Sequence, residues 1–166
     1  MAVDIFLELT GVEGEAQDKT MKDKKAIDIL AWSWGMSQSG STHMGKGGGS
    51  GKVNVQDISV TKYVDAASAT LMQFCCVGKH IDKGTLTIRK AGGDKDAAPL
   101  EYIKIEFQEL LVSSISSGGS GGEDRLTENL TLNFREFHYT YGLQAATGGA
   151  DATKEWKWDI AENASA

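Results

Sequence analysis

Apolar residues recur at every second position along most of this chain. Val3, Ile5, Leu7 and Leu9 do so at the start, which is the signature of a strand. Ile27 to Met36 predicts a second strand. Ile27, Ile29, Ala31 and Ser33 would fall on one face, and Leu30, Trp32, Trp34 and Met36 on the other. Both faces are largely apolar, so this strand is expected to be buried twice, in its own core and against a partner subunit. Val53 to Tyr63 is again β-forming, and Gly84 to Lys90 reads as a short strand. Leu100 to Ser116 reads as a long one. Ile103, Ile105 and Phe107 share a phase there, which flips at Glu109 to Leu110 and Val112, so a bulge or bend is expected. Leu130, Leu132 and Phe134 give way in the same manner to Phe137, Tyr139 and Tyr141. Two long bent strands joined by Ser116 to Gly122 predict a hairpin that folds over and closes a barrel. Trp156, Trp158 and Ile160 alternate with Lys157 and Asp159 in a last strand, and the polar tail Ala161 to Ala166 is expected to fray.

Helical periodicity stands out only between Ala66 and Val77, with Asp65 as N-cap and Gly78 beyond the end. Ala67, Leu71, Phe74 and Cys75 share its inner face, which Met72 and Cys76 extend. Gly35 to Lys52 is a long stretch of Gly and Ser that cannot pack a core. The predicted fold is therefore mainly β: an antiparallel barrel, or a sandwich of two packed sheets, with one helix (about 66–77) and one extended loop (about 35–52). Its core is expected from Trp32, Trp34, Leu71, Phe74, Ile105, Phe107, Leu132 and Phe134. A chain of 166 residues fits one domain, here 1–166, able to bury a core without staples.

Charge narrows the partners. The net charge of −6 argues against nucleic acid, which needs clustered Lys and Arg. The one basic run, Lys19 to Lys25, is broken by Asp23 and reads as a solvated loop. Cys75 and Cys76 are adjacent and read as small core hydrophobes that staple nothing, in keeping with synthesis in a reducing compartment. The first residues lack a basic leader, and no apolar run reaches the length of a membrane span. Folding in the cytoplasm is expected, and export would need a route that cleaves no signal peptide.

The motifs that suggest chemistry lack their context. Gly51 and Lys52 resemble the end of a P-loop, but Lys46 stands where its first Gly belongs, Val53 follows, and a strand comes next. Gly118 to Gly122 satisfies G-x-S-x-G around Ser120, with Asp124 and His138 in hydrolase order. A nucleophile elbow needs a helix after the turn, and here a strand is predicted. His43, His80 and His138 have no metal spacing. Glu123, Asp124 and Glu128 with Arg125 read as a solvated, salt-bridged turn. No catalytic, metal or cofactor residue is assigned. The glycine loops and the doubly apolar strand point instead to protein–protein surfaces.

Three blocks carry a family resemblance. They are Met1 to Leu9 with Gly14 and Glu15, Ile29 to Ser41 running into Lys52 to Asp57, and Leu86 to Gly92 together with Leu111 to Phe134. The last block includes Ser116 to Gly122 and the following Glu-Asp-Arg-Leu-Thr-Glu-Asn. They resemble the Hcp (hemolysin-coregulated protein) family along nearly the whole chain, least from Lys19 to Ala26 and after Phe137. The resemblance implies a structural tube protein of type VI secretion. Homo-hexameric rings stack into a tube inside a contractile sheath, are expelled with a spike, and in some members hold small effectors in the pore. The chain reads as ending just after its last strand, without the fused toxin of some members. On this reading Ser37, Ser39, Ser41, His43, Met44, Lys46 and Lys52 are the expected contacts of a ring-stacking loop, with a disordered loop as the other reading of its glycines. Ser33 is the candidate for the pore wall, with a neighbour's surface as the other destination. Two other functions are carried forward: a tube protein of a phage-like contractile particle, and a serine hydrolase using Ser120.

Overall fold

The computed structural model describes residues 3–40, 51–90, 99–145 and 150–166. Among them ten strands and one helix follow in the order β1 (Val3–Leu9), β2 (Ile27–Ser33), β3 (Met36–Ser37), β4 (Asn54–Val55), β5 (Ile58–Tyr63), α1 (Ala67–Val77), β6 (His80–Lys90), β7 (Leu100–Gly118), β8 (Thr127–Asn133), β9 (Glu136–Gln144) and β10 (Ala150–Asp159). Every pairing is antiparallel. The main sheet runs β10-β9-β7-β6-β1-β2-β5-β8, and a β7–β8 pairing closes six of its strands into a barrel. β9 and β10 extend outward from the first half of β7, while its second half holds β8.

The barrel interior follows from the alternation. Leu7, Ile58, Leu71, Leu86, Ile105, Leu110, Leu130 and Leu132 have no exposed surface. Phe107, Phe134 and Phe137 surround the half-buried Trp34, whose ring meets theirs edge-on at 6.2, 5.9 and 4.8 Å. The Trp34 indole N–H donates to the Gln56 carbonyl (2.8 Å), so its polar end is satisfied where the ring leaves the core. Trp32 is also half-buried against the core, and Phe74 is buried in it. Each fully buried large apolar side chain removes surface worth about 1.5–3 kcal/mol from water.

Within one chain the second strand buries a single face. Ile29 pairs with Lys62 and Ala31 with Thr61, so Leu30 is an extra residue in β2. This bulge resets the alternation. Ile27 and Ile29 point inward before it, Trp32 and Trp34 point inward after it, and Leu30 and Ala31 are left exposed. Two apolar runs of opposite phase thus serve one core.

A second irregularity bends the long strands. Glu109 adopts a left-handed φ of 51°, where β7 turns its inward phase from Phe107 to Leu110. Facing it, the predicted single strand through Phe134 and Tyr141 is two strands, β8 and β9, broken at Phe134 and Arg135. The Arg135 N–H donates to the Gln108 carbonyl (3.1 Å), and its side chain reaches Glu109 (3.4 Å), Asp159 (3.2 Å) and Glu162 (3.6 Å). The tail is tied to this corner and does not fray. Asp159 accepts the Glu162 N–H, Asp159 N–H donates to Ala164, and Ala166 N–H donates to Lys157.

Helix α1 joins β5 to β6. Gly78 takes the left-handed conformation (φ 62°) and donates to the Phe74 carbonyl, as its position predicts. At the other end the N-cap position is Ala66, one residue later than expected. Asp65 still caps locally, accepting the Ala67 N–H (2.9 Å), while Ser68 Oγ accepts the Asp65 N–H. Cys75 packs partly against the core, but Met72 and Cys76 are exposed. The inner face is thus narrower than the apolar residues suggested.

Residues 10–26 cross the outer face of β1 and β6. Met21, Ala16 and Ala26 cover Phe6 there in a small second core, and the surrounding lysines are exposed. Arg89 of β6 lies beneath, almost fully buried. It donates to Asp18 (2.7 Å) and Thr20 (3.0 Å), and its guanidinium sits 4.7 Å from the centre of the Phe6 ring. That hydrogen bond holds the Asp18 carboxyl well below the usual carboxylate range.

Candidate assembly surfaces

The loop expected to stack rings begins as a small ribbon. β3 and β4 pair Met36 with Val55 and Ser37 with Asn54, and the Gln56 N–H closes onto the Gly35 carbonyl (3.0 Å). Met36, Ser37, Ser39 and Lys52 are exposed on it. Ser41, His43, Met44 and Lys46 lie outside the described residues. Ser33 is exposed at the end of β2, opposite Ser59, on the outer face that also carries Leu30 and Ala31. Ser33 and Ser37 therefore share one end of β2 and its continuation.

The opposite end of the barrel is formed by the β7–β8 hairpin. β5 pairs with β8 along its whole length, from Ile58 with Leu132 to Tyr63 with Thr127. The glycine-rich tip stands at the Tyr63 end, so six paired residues, about 17 Å of strand, separate it from the ribbon. Glu123, Asp124 and Arg125 are exposed there, but they do not form the salt-bridged turn expected from sequence. Arg125 turns back over the Tyr63 ring, 3.9 Å from its centre. Glu128 leaves the group altogether and is fully buried.

Inside that end lies the cluster that the sequence reading missed. Lys62 and Glu128 form an ion pair in which neither side chain is exposed. Lys62 Nζ also donates to Asp65 (2.8 Å), Ser68 Oγ (3.3 Å) and the Tyr63 carbonyl (2.8 Å). Glu128 accepts from Ser68 Oγ (2.6 Å) and Ser117 Oγ (2.9 Å). The cluster joins β5, β7, β8 and the start of α1. Burial alone would raise the Glu128 carboxyl, but hydrogen bonds from Lys62, Ser68 and Ser117, with the lysine's charge, outweigh it and hold the group below its usual value. A signal was present: Lys62 shares the phase of Ile58 and Val60, and Glu128 that of Leu130 and Leu132.

The features that suggested chemistry are not assembled. β8 follows the turn after Ser120, and no helix begins there. His138 sits on β9, which pairs with the first half of β7, while Ser120 lies beyond the end of the second half. The histidine is engaged across three strands, its Nδ1 3.1 Å from Glu106 and its Nε2 2.7 Å from Glu155. Among the described residues no group of three His, Cys, Asp or Glu side chains is placed to hold a metal ion. No described helix is long and apolar enough to cross a membrane.

Known proteins resemble this chain in sequence and in fold. Residues 6–141 match the family model described as type VI secretion system effector, Hcp. The protein hcp1 of Pseudomonas aeruginosa is 54% identical over 167 residues, covering 100% of both chains. A structure of a type six secretion system protein superposes with a TM-score of 0.89 at 28% identity, covering 99% of this chain and all of the other. The crystal structure of Hcp1 from Salmonella typhimurium gives a TM-score of 0.78 at 35% identity, with 100% of each chain covered. The match spans both the barrel and the hairpin whose tip and buried ion cluster are described above, and the chain belongs to the Hcp family of type VI secretion proteins.

Proposed function

We propose that this chain is a structural subunit of the type VI secretion inner tube, acting without catalysis as a hexameric ring that stacks and is expelled when a sheath contracts. The full-length similarity to Hcp proteins carries this reading. The surface agrees with it. Leu30 and Ala31 are exposed on β2, Met36 on the ribbon and Trp156 on the edge strand β10, and apolar surface distributed in this way suits closure against neighbouring copies. The protein would be made in the cytoplasm and leave with the tube and spike, without a cleaved signal. Ser37, Ser39, Ser41, His43, Met44, Lys46 and Lys52 belong to the segment that meets the next ring, and Ser33 to the wall that faces small effectors.

Native mass spectrometry of the purified protein tests the ring. The expected species lies near six times the 17.8 kDa of one chain. A stable monomer at high concentration would refute the reading. Ser33→Arg tests the wall: rings should persist at the same native mass while co-purified small effectors are lost. Unchanged effector retention would remove Ser33 from the pore.

A further inference from the structure

β10 is an edge of the main sheet and pairs only with β9. Its last residues are anchored: Asp159 is buried and bound by Arg135, and Trp158 packs against the core. Ala150 to Lys157 are all exposed. An exposed strand with one neighbour is a part of a sheet that opens readily. Among the described residues, the side-chain ion pair that ties this stretch to the sheet joins Glu155 to His138. His138 stands directly opposite Glu106 of β7 on one side and Lys157 of β10 on the other. Its ring therefore spans three strands, with Nδ1 3.1 Å from Glu106 and Nε2 2.7 Å from Glu155. The Thr140 hydroxyl lies 3.4 Å from Nε2.

The count of donors makes this arrangement sensitive to one proton. A neutral imidazole carries one N–H and an imidazolium two, whereas a carboxylate only accepts. The imidazolium alone can donate to both acids, and charge-assisted bonds are roughly twice as strong as neutral ones. Either neutral tautomer turns a bare lone pair toward one carboxylate. Glu106 has a second partner in Lys104 at 3.3 Å, but among the described residues Glu155 has no other ion-pair partner. Lys83 of β6, Glu136 of β9 and Lys157 of β10 line the same hollow as the ring. With Glu106, Glu155 and Lys104 they bring acids and lysines in equal number, so the direct contacts decide.

We propose that His138 is a proton-operated clasp on the edge strand: the imidazolium pins β10 to β9 and β7 through Glu155 and Glu106, and loss of its proton loosens residues 150–157. Histidine is the side chain that changes charge between about pH 5 and 8. The strand is therefore held in mildly acidic solution and released as the pH rises. Trp156, 54% exposed, stands on the other face of the same strand, so the clasp governs how firmly that aromatic surface is presented. These contacts lie within one chain, and the inference does not depend on the tube reading.

Amide hydrogen exchange of the full chain at about pH 5.5 and about pH 8 tests this, with each rate expressed relative to that of an unstructured peptide at the same pH. In the wild type, protection of residues 153–157 should be about three- to fivefold greater at the lower pH, the size expected of exposed ion pairs. Protection across β1 and β6 should not differ between the two. His138→Gln keeps a donor and an acceptor but cannot gain a proton, so its β10 should exchange alike at both pH values, at the wild-type rate seen at high pH. Glu155→Gln leaves the histidine in place and removes its carboxylate on β10, and it too should abolish the difference there. Equal protection of wild-type β10 at the two pH values would overturn the inference. So would a pH dependence that survives in either variant, because another group would then be responsible.

Discussion

Replacing Lys62 by Met should be among the most damaging single changes in the barrel. The lysine and Glu128 have no exposed side-chain surface, so the pair has no access to bulk water. Met fills much of the same volume but leaves the buried Glu128 carboxylate held only by the Ser68 and Ser117 hydroxyls, and takes the cation from Asp65 as well. Removing one partner of a buried pair costs about 3–5 kcal/mol, because the remaining charge is uncompensated. For a chain of this length each kcal/mol shifts the melting temperature by about 2–4 °C, so a fall of roughly 10 °C is expected. Lys62→Met combined with Glu128→Leu removes the fully buried pair and leaves Asp65, at the edge of the cluster, on the Ala67 N–H, so it should recover most of the part of that loss that comes from Glu128. The assay is denaturant unfolding of wild type, both single variants and the double variant at one fixed protein concentration, since assembly adds its own mass action. A cost below about 1 kcal/mol for Lys62→Met, or a double variant no better than the singles, would refute the reasoning. The pair also has a pH signature. The folded Glu128 carboxyl is held below its usual value of 4.5, so the unfolded chain takes up a proton first. Stability from the pair is therefore complete above pH 4.5 and lost as the pH falls below it. Lys62→Met should remove that part of the acid dependence.

Two further changes probe the connection over β1 and β6. Gly14→Ala would place a Cβ 2.3 Å from the Ala26 carbonyl oxygen, so backbone must move, and a loss of about 2 kcal/mol is expected in thermal unfolding. Asp18→Asn should flatten the acid limb of stability below pH 3.8: the carboxyl is depressed in the folded state, so its contribution is present above 3.8 and lost as the pH falls. Unfolding midpoints across pH 2–5 would show it as a difference between variant and wild type that shrinks toward low pH.

Much of the fold was legible because apolar spacing is a direct record of which face is covered. The helix end at Gly78, the bend at Glu109 and the inward positions of Ile105, Phe107 and Leu132 all follow from period and conformational preference. The second strand was misread for a physical reason. A bulge inserts one residue without changing composition, so Leu30 made one continuous face look like two. Lys62 and Glu128 were missed because charge outweighed phase in the reading: both occupy inward positions, and burial of a charge becomes plausible only when its partner is seen across the strand pair. Arg125 could not be assigned from its acidic neighbours, since the Tyr63 ring that holds it is 62 residues away. The tail was misread because its polar residues gave no hint that Arg135 and Asp159 would fold it back.

The closing of the barrel has a consequence for how the chain is made. β1 pairs with β6, Val3 opposite Lys90, and the circuit is completed only when β8, ending at Asn133, pairs with both β5 and β7. During vectorial synthesis the first four-fifths of the chain must therefore leave the ribosome before the closed barrel is complete. Until then β5 shows an unpaired edge, and the Lys62 side chain has no Glu128 to meet. Contacts this distant in sequence form slowly and expose strand edges while they wait. β8 acts as a latch that arrives late, and it brings with it the carboxylate that makes a lysine tolerable inside.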